Sequence, residues 1–136
     1  MVHICENPAV LSAAADRHGP AARPLVCVQG QPSAAALTLL ARLHELGAVL
    51  RYHGDFDWGG LRIATTLLRH VPWRPWRYTA ADYREAVAVA GPDLRQLGGK
   101  PALSPWDPDL ARALAEHALR VEEEAVLDLL LADLAG

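Results

Sequence analysis

Short apolar runs alternate along this chain with stretches of helical periodicity, and Gly or Pro stands at most of the changes between them. Residues 2–5, Val-His-Ile-Cys, form the first apolar run, which ends at Glu6-Asn7-Pro8 and predicts a strand. A helical pattern follows over residues 9–17 and stops at Gly19-Pro20. Residues 25–29 predict a second strand, closed by Gly30. Ser33 is placed to cap a helix reaching Leu46, with Gly47 just past its end. A third strand is expected over 48–54 and a helix over 60–70, with Pro72 beyond it. Residues 77–79 are the expected fourth strand, and 80–90 the helix after it. Four of the ten prolines fall in 91–108, which reads as a surface connection. The last helical patterns cover 109–119 and 122–134, and Leu127, Leu130, Leu131 and Leu134 share a core-facing stripe.

This alternation predicts an α/β domain with about four mainly parallel strands flanked by helices. In such sheets ligands bind beyond the carboxyl ends of the strands, where strand order reverses. An order of 2-1-3-4 would put that crevice between the first and third strands. Glu6 follows the first of these, and Asp55 and Asp57 follow the third. Read as alternating strand positions, the two aspartates fall on one side.

Composition narrows the function. A chain of 136 residues, half of them apolar, is one domain's worth of sequence and can bury a core. No run of 18 uncharged apolar residues is present, and the opening Met-Val-His-Ile-Cys-Glu is unlike a signal peptide, so a cytoplasmic location is expected. The formal charge is −3, and twelve of the thirteen basic residues are Arg. A domain that grips DNA unaided usually carries a basic stripe, so a nucleic-acid substrate would need metal, a second subunit or further sequence. Cys5 and Cys27 both lie in apolar runs and read as small buried hydrophobes. Their spacing supports no zinc site.

Residues 53–61 read His-Gly-Asp-Phe-Asp-Trp-Gly-Gly-Leu. Two carboxylates about 4 Å apart repel by roughly 4 kcal/mol at an effective dielectric of about 20, so such a pair shares a proton or recruits a cation. Oxygen donors favour Mg²⁺ or Mn²⁺ over zinc. Gly54, Gly59 and Gly60 permit close backbone approach, and the following helix N-terminus can face a phosphate. An Asp-x-Asp alone also occurs in many exposed turns. Haloacid-dehalogenase-type phosphatases place Thr or Val soon after the second Asp, where Trp58-Gly59 stands here. Glycosyltransferases with this motif need a larger nucleotide-sugar domain.

Four segments together match one family pattern. Glu6-Asn7-Pro8-Ala9-Val10 resembles the opening strand–Glu–helix of Toprim domains. Gln29-Gly30-Gln31-Pro32-Ser33 resembles the Gly-x-Pro-Asp or Gly-x-Pro-Ser turn after their second strand. The segment from Asp55 to Gly60 resembles the Asp-x-Asp-x-x-Gly motif of the topoisomerase VI A subunit and its meiotic relatives. Glu122-Glu123-Glu124-Ala125-Val126-Leu127 resembles a Glu-x-Glu-Ala-Leu helix start in the same proteins. A closer resemblance is to the C-terminal Toprim-like domain of bacterial JetD-type proteins, the nuclease subunit of Wadjet anti-plasmid systems. It rests on Cys-Glu-Asn-Pro, Gly-Gln-Pro-Ser and Tyr-His-Gly-Asp-Phe-Asp-Trp.

The resemblance implies a Toprim (Rossmann-like) fold over residues 1–136, as the C-terminal part of a longer protein. It implies a Mg²⁺-dependent (or Mn²⁺-dependent) DNA nuclease domain, inactive or weak alone, working in an SMC-type plasmid-defence complex. The expected partners are DNA, subunits of that complex and a second copy in a homodimer, but no membrane. Glu6, Asp55 and Asp57 would be the catalytic and metal-binding residues. His53, Glu122, Glu124 and Arg62 would be secondary, with Gly30, Gly59 and Gly60 forming the backbone turns at phosphate. Tyr52, Tyr78 and Tyr83 match no family nucleophile, which favours hydrolysis over strand passage. The alternatives are a non-catalytic Toprim module for assembly or metal binding, and a small nucleotide phosphohydrolase. Trp58, Trp73, Trp76 and Trp106 read first as packing residues, and Lys100 lacks the spacing of a nucleotide-binding loop.

Overall fold

A computed structural model describes the whole chain, Met1 to Gly136. Its strands are β1 (Val2–Cys5), β2 (Leu25–Cys27), β3 (Leu50–Tyr52) and β4 (Arg74–Pro75). All pair in parallel, in the order β2-β1-β3-β4. The helices are α1 (Pro8–His18), α2 (Ala34–Glu45), α3 (Trp58–His70), α4 (Ala80–Ala90), α5 (Pro108–His117) and α6 (Leu127–Asp133). This is the expected α/β, Rossmann-like arrangement.

Every residue of β1 is buried, because a central parallel strand is covered on both faces. Strand alternation divides its side chains between two cores. Val2 and Ile4 join the larger one with Tyr52 of β3 and with Leu40, Leu61, Leu67, Tyr83, Leu110 and Leu114 from helices α2 to α5. Cys5 joins the smaller one with Val10, Ala14, Trp76, Leu130, Leu131 and Leu134, under α1 and α6. The leucine stripe expected near the C-terminus is therefore core. Trp58, Trp73 and Trp76 are buried as well.

The strands are shorter than expected, for local reasons. Gln29 has φ of 54°, which turns the chain out of extended geometry after β2. The fourth strand is Arg74–Pro75, not residues 77–79. Arg77 has φ of 49°, and Thr79 caps α4 in a reciprocal capping box with Asp82. The third strand covers only the centre of 48–54, although His53 still donates its backbone N–H to Ile4 O. Near the C-terminus the single helix expected over 122–134 is two pieces, a 3-10 turn (Glu123–Val126) and then α6. No helix is long and apolar enough to cross a membrane.

Candidate metal centre

The sequence of α3 begins with Asp57 as N-cap, its Oδ1 accepting from Gly60 N at 2.6 Å. Gly60 is required here. A Cβ on it would sit 2.1 Å from Asp55 O and 3.2 Å from Asp57 Oδ1. The loop from β3 thus folds back tightly on the first turn of α3. Tyr78 Oη fixes the same carbonyl by donating to Asp55 O at 2.7 Å. Phe56 makes an isolated antiparallel bridge with Val121, which brings the segment before α6 alongside.

This geometry departs from the strand alternation expected of Asp55 and Asp57. The strand has already ended at Tyr52, so the two side chains follow loop and cap geometry instead. Asp55 Oδ1 accepts from Glu123 N at 2.8 Å. Asp57 turns to α3 with Oδ1, and its Oδ2 lies 3.6 Å from Arg120 Nη2. Arg120 also donates to Glu122 at 3.1 Å.

Glu6 and Asp55 do converge. Burial, followed by the neighbouring Asp55 charge, pushes the Glu6 carboxyl up to about 9. Asp55 is raised as well, by burial, against the opposing hydrogen bond from Glu123 N–H. Glu6 Oε1 is buried without a partner. A Cβ on Gly54 would touch it at 3.2 Å and would meet Tyr52 Oη at 2.9 Å, so this glycine leaves the space in which they meet. Tyr52 Oη is buried and unpartnered too.

One residue that the sequence did not single out holds the cluster together. Glu123 is fully buried. Its Oε1 accepts from Glu6 N at 2.9 Å and Asn7 N at 2.6 Å, and its Oε2 meets His53 Nδ1 at 2.8 Å. With its own N–H on Asp55, Glu123 ties the ends of β1 and β3 to the C-terminal segment. Glu122 and Glu124, the expected members of the run, are peripheral: Glu124 accepts from Asn7 Nδ2 at 2.7 Å, and Glu122 pairs with Arg120. A signal for Glu123 did exist. It lies two residues after the buried Val121, and alternate residues of an extended segment share a side.

His53 is fully buried against Phe56, Trp76 and Tyr78, with Nε2 unpartnered. Arg62 is exposed and donates to the carbonyls of Lys100 and Pro101, away from the acids. Gly30 occupies positive φ with open space around it, whereas Gly59 lies beside Asp57, where a Cβ would be 3.5 Å from Oδ1. An apolar cavity of about 420 Å³ is bordered by His53, Phe56, Val89, Val126 and Leu129, but by none of Glu6, Asp55 or Asp57.

No three His, Cys, Asp or Glu side chains are arranged as a ligand group. The donors that fit a cation are the pair Glu6 and Asp55, with Glu6 Oε1 lacking any other partner. An all-oxygen pair of this kind suits a small hard cation that retains several waters. Asp57, the third expected ligand, is adjacent but is held by its helix and by Arg120.

The family model described as "Protein of unknown function C-terminus (DUF2399)" matches residues 1–134. No curated protein and no solved structure matches the chain.

Proposed function

The chain belongs to the DUF2399 family, and we propose that it is a Toprim-type catalytic domain of a Mg²⁺- or Mn²⁺-dependent DNA nuclease. The observation that carries this reading is the meeting of Glu6 and Asp55 beyond the carboxyl ends of β1 and β3, with a buried Glu6 oxygen left unpartnered. The strand order reverses beside β1, the position where α/β sheets bind ligands. The resemblance of the Glu6, Gln29–Ser33 and Asp55–Gly60 segments to Toprim domains supports it, as does the likeness to JetD-type plasmid-defence nucleases.

Glu6 and Asp55 would hold the cation, which supplies charge stabilisation to the phosphoryl oxygens when bound. Glu6 is also positioned to carry a proton toward the leaving oxygen or away from water. Asp57 orients the first turn of α3 by capping it through Gly60 N–H. Glu123 positions both acids without touching substrate. DNA would be presented by parts of a larger assembly or by a second copy, since the chain's formal charge is −3.

A non-catalytic assembly module is the second reading, favoured by the engagement of Asp57 with Gly60 and Arg120. Plasmid cleavage in Mg²⁺ or Mn²⁺ by the protein in its native assembly separates the two. The nuclease reading expects nicking or linearisation that Asp55→Asn lowers by at least about a hundredfold, as for loss of a group stabilising transition-state charge. Equal cleavage by the variant, or none by an assembly that still binds DNA, would favour the assembly module.

A further inference from the structure

The chain has two cysteines, and the parallel register of β1 and β2 sets them directly opposite one another. Register partners on adjacent strands lie about 4.8 Å apart, within the Cα separations of about 4.4–6.8 Å that a disulfide spans. Side chains at paired positions project from the same face of the sheet, so both sulfurs enter the layer under α1. Their hydrogen bonds agree. Cys27 Sγ donates to Glu6 O at 3.5 Å, and Cys5 Sγ donates to Asn7 O at 3.6 Å, so the two thiols hang from consecutive carbonyls. Both are free thiols, Cys5 buried and Cys27 half-buried.

We propose that Cys5 and Cys27 form a reversible dithiol–disulfide site at the carboxyl ends of β1 and β2. The division of labour follows from exposure: Cys27 meets the reagent and Cys5 resolves it. With a low-molecular-weight disulfide as oxidant, the Cys27 sulfur attacks one sulfur of the reagent. The reagent's S–S bond breaks, and the first small thiolate leaves, taking up the proton that Cys27 gives up. Cys5 then attacks the Cys27 sulfur of the mixed disulfide. The second small thiol leaves with the remaining proton, so the protein pair is oxidised by two electrons and the reagent is reduced to two thiols. The oxidised pair no longer donates to Glu6 O and Asn7 O, which are the carbonyls on either side of the turn from β1 into α1. Oxidation therefore acts on the backbone that carries Glu6.

The test treats the intact, folded protein with oxidised glutathione, quenches it with acid, alkylates it under denaturing conditions and measures intact and peptide masses. The expected product has lost two hydrogens, carries no glutathione, takes up no alkylating reagent and yields a Cys5–Cys27 linked peptide. Dithiothreitol should restore both thiols. In Cys5→Ser, verified as folded by circular dichroism, the glutathione adduct should persist on Cys27, because no second thiol is present to expel it. A wild-type protein that accumulates a stable adduct on Cys27, or that keeps both thiols alkylatable at every ratio of oxidised to reduced glutathione, would overturn the proposal. The wild-type result decides by itself, so a variant that fails to fold leaves the test intact.

Discussion

Glu123 carries more structural consequence than any other acid in its run. Removing its side chain leaves a buried His53 and the N–H groups of Glu6 and Asn7 without their acceptor. Leaving a buried hydrogen-bonding group without its partner costs about 1–3 kcal/mol, and more where the lost acceptor is a carboxylate. Glu123→Ala should therefore lower unfolding stability by about that amount in urea titration, whereas Glu122→Ala should change it by about 0.5 kcal/mol or less. A second residue-scale prediction concerns Glu6, whose carboxyl is pushed up to about 9 by burial and by Asp55. Its folded value lies above its unfolded one, so the folded state binds the extra proton between them. Stability of the metal-free protein should then fall as pH rises from about 5 toward 9. Glu6→Gln should flatten that slope in thermal melts followed across pH.

At the scale of elements, the start of α3 joins a structural role to a chemical one. Asp57 caps the helix through Oδ1 while Oδ2 faces Arg120. Asp57→Asn keeps a capping oxygen and should leave the melting temperature nearly unchanged, whereas Asp57→Ala loses the cap and should cost about 1 kcal/mol. Gly60→Ala should be worse than either. Its Cβ would overlap Asp55 O at 2.1 Å, so the loop or helix must shift, at a cost of about 1–3 kcal/mol for overpacking. The glycine's chemical necessity was legible in the Asp-x-Asp-x-x-Gly spacing, and so was the convergence of Glu6 with the loop after β3. The convergence follows from strand–helix alternation and the strand order it implies, whereas the glycine spacing is what the Toprim resemblance implies. The fourth strand and the orientation of Asp57 were not legible. They depend on positive φ at Arg77 and on the early end of β3 at Tyr52, which tertiary contacts impose and hydrophobic period does not record. Glu123 was hidden for a related reason. Its helix begins at Leu127 rather than at the glutamates, so a helix expected from 122 onward gave no reason to single Glu123 out of the run.

For the whole molecule, one central strand organises everything that has been assigned chemistry. The end of β1 supplies Cys5 and Glu6, its neighbour β2 supplies Cys27, and the loop after β3 supplies Asp55. The segment from Val121 to Glu124 ties the end of β1 to the loop after β3. The net charge is negative and the basic residues are dispersed, so the chain by itself should bind DNA weakly and with little sequence preference. The central claim, that Glu6 and Asp55 form a site for a divalent cation, is independent of DNA. Titration calorimetry with Mn²⁺ tests it most directly, comparing the wild-type chain with Asp55→Asn and with Glu122→Gln as a surface control. The account predicts saturable binding by the wild type and the control, lost in Asp55→Asn. Binding that is unchanged in Asp55→Asn, or absent from the folded wild-type chain at millimolar Mn²⁺, would contradict it.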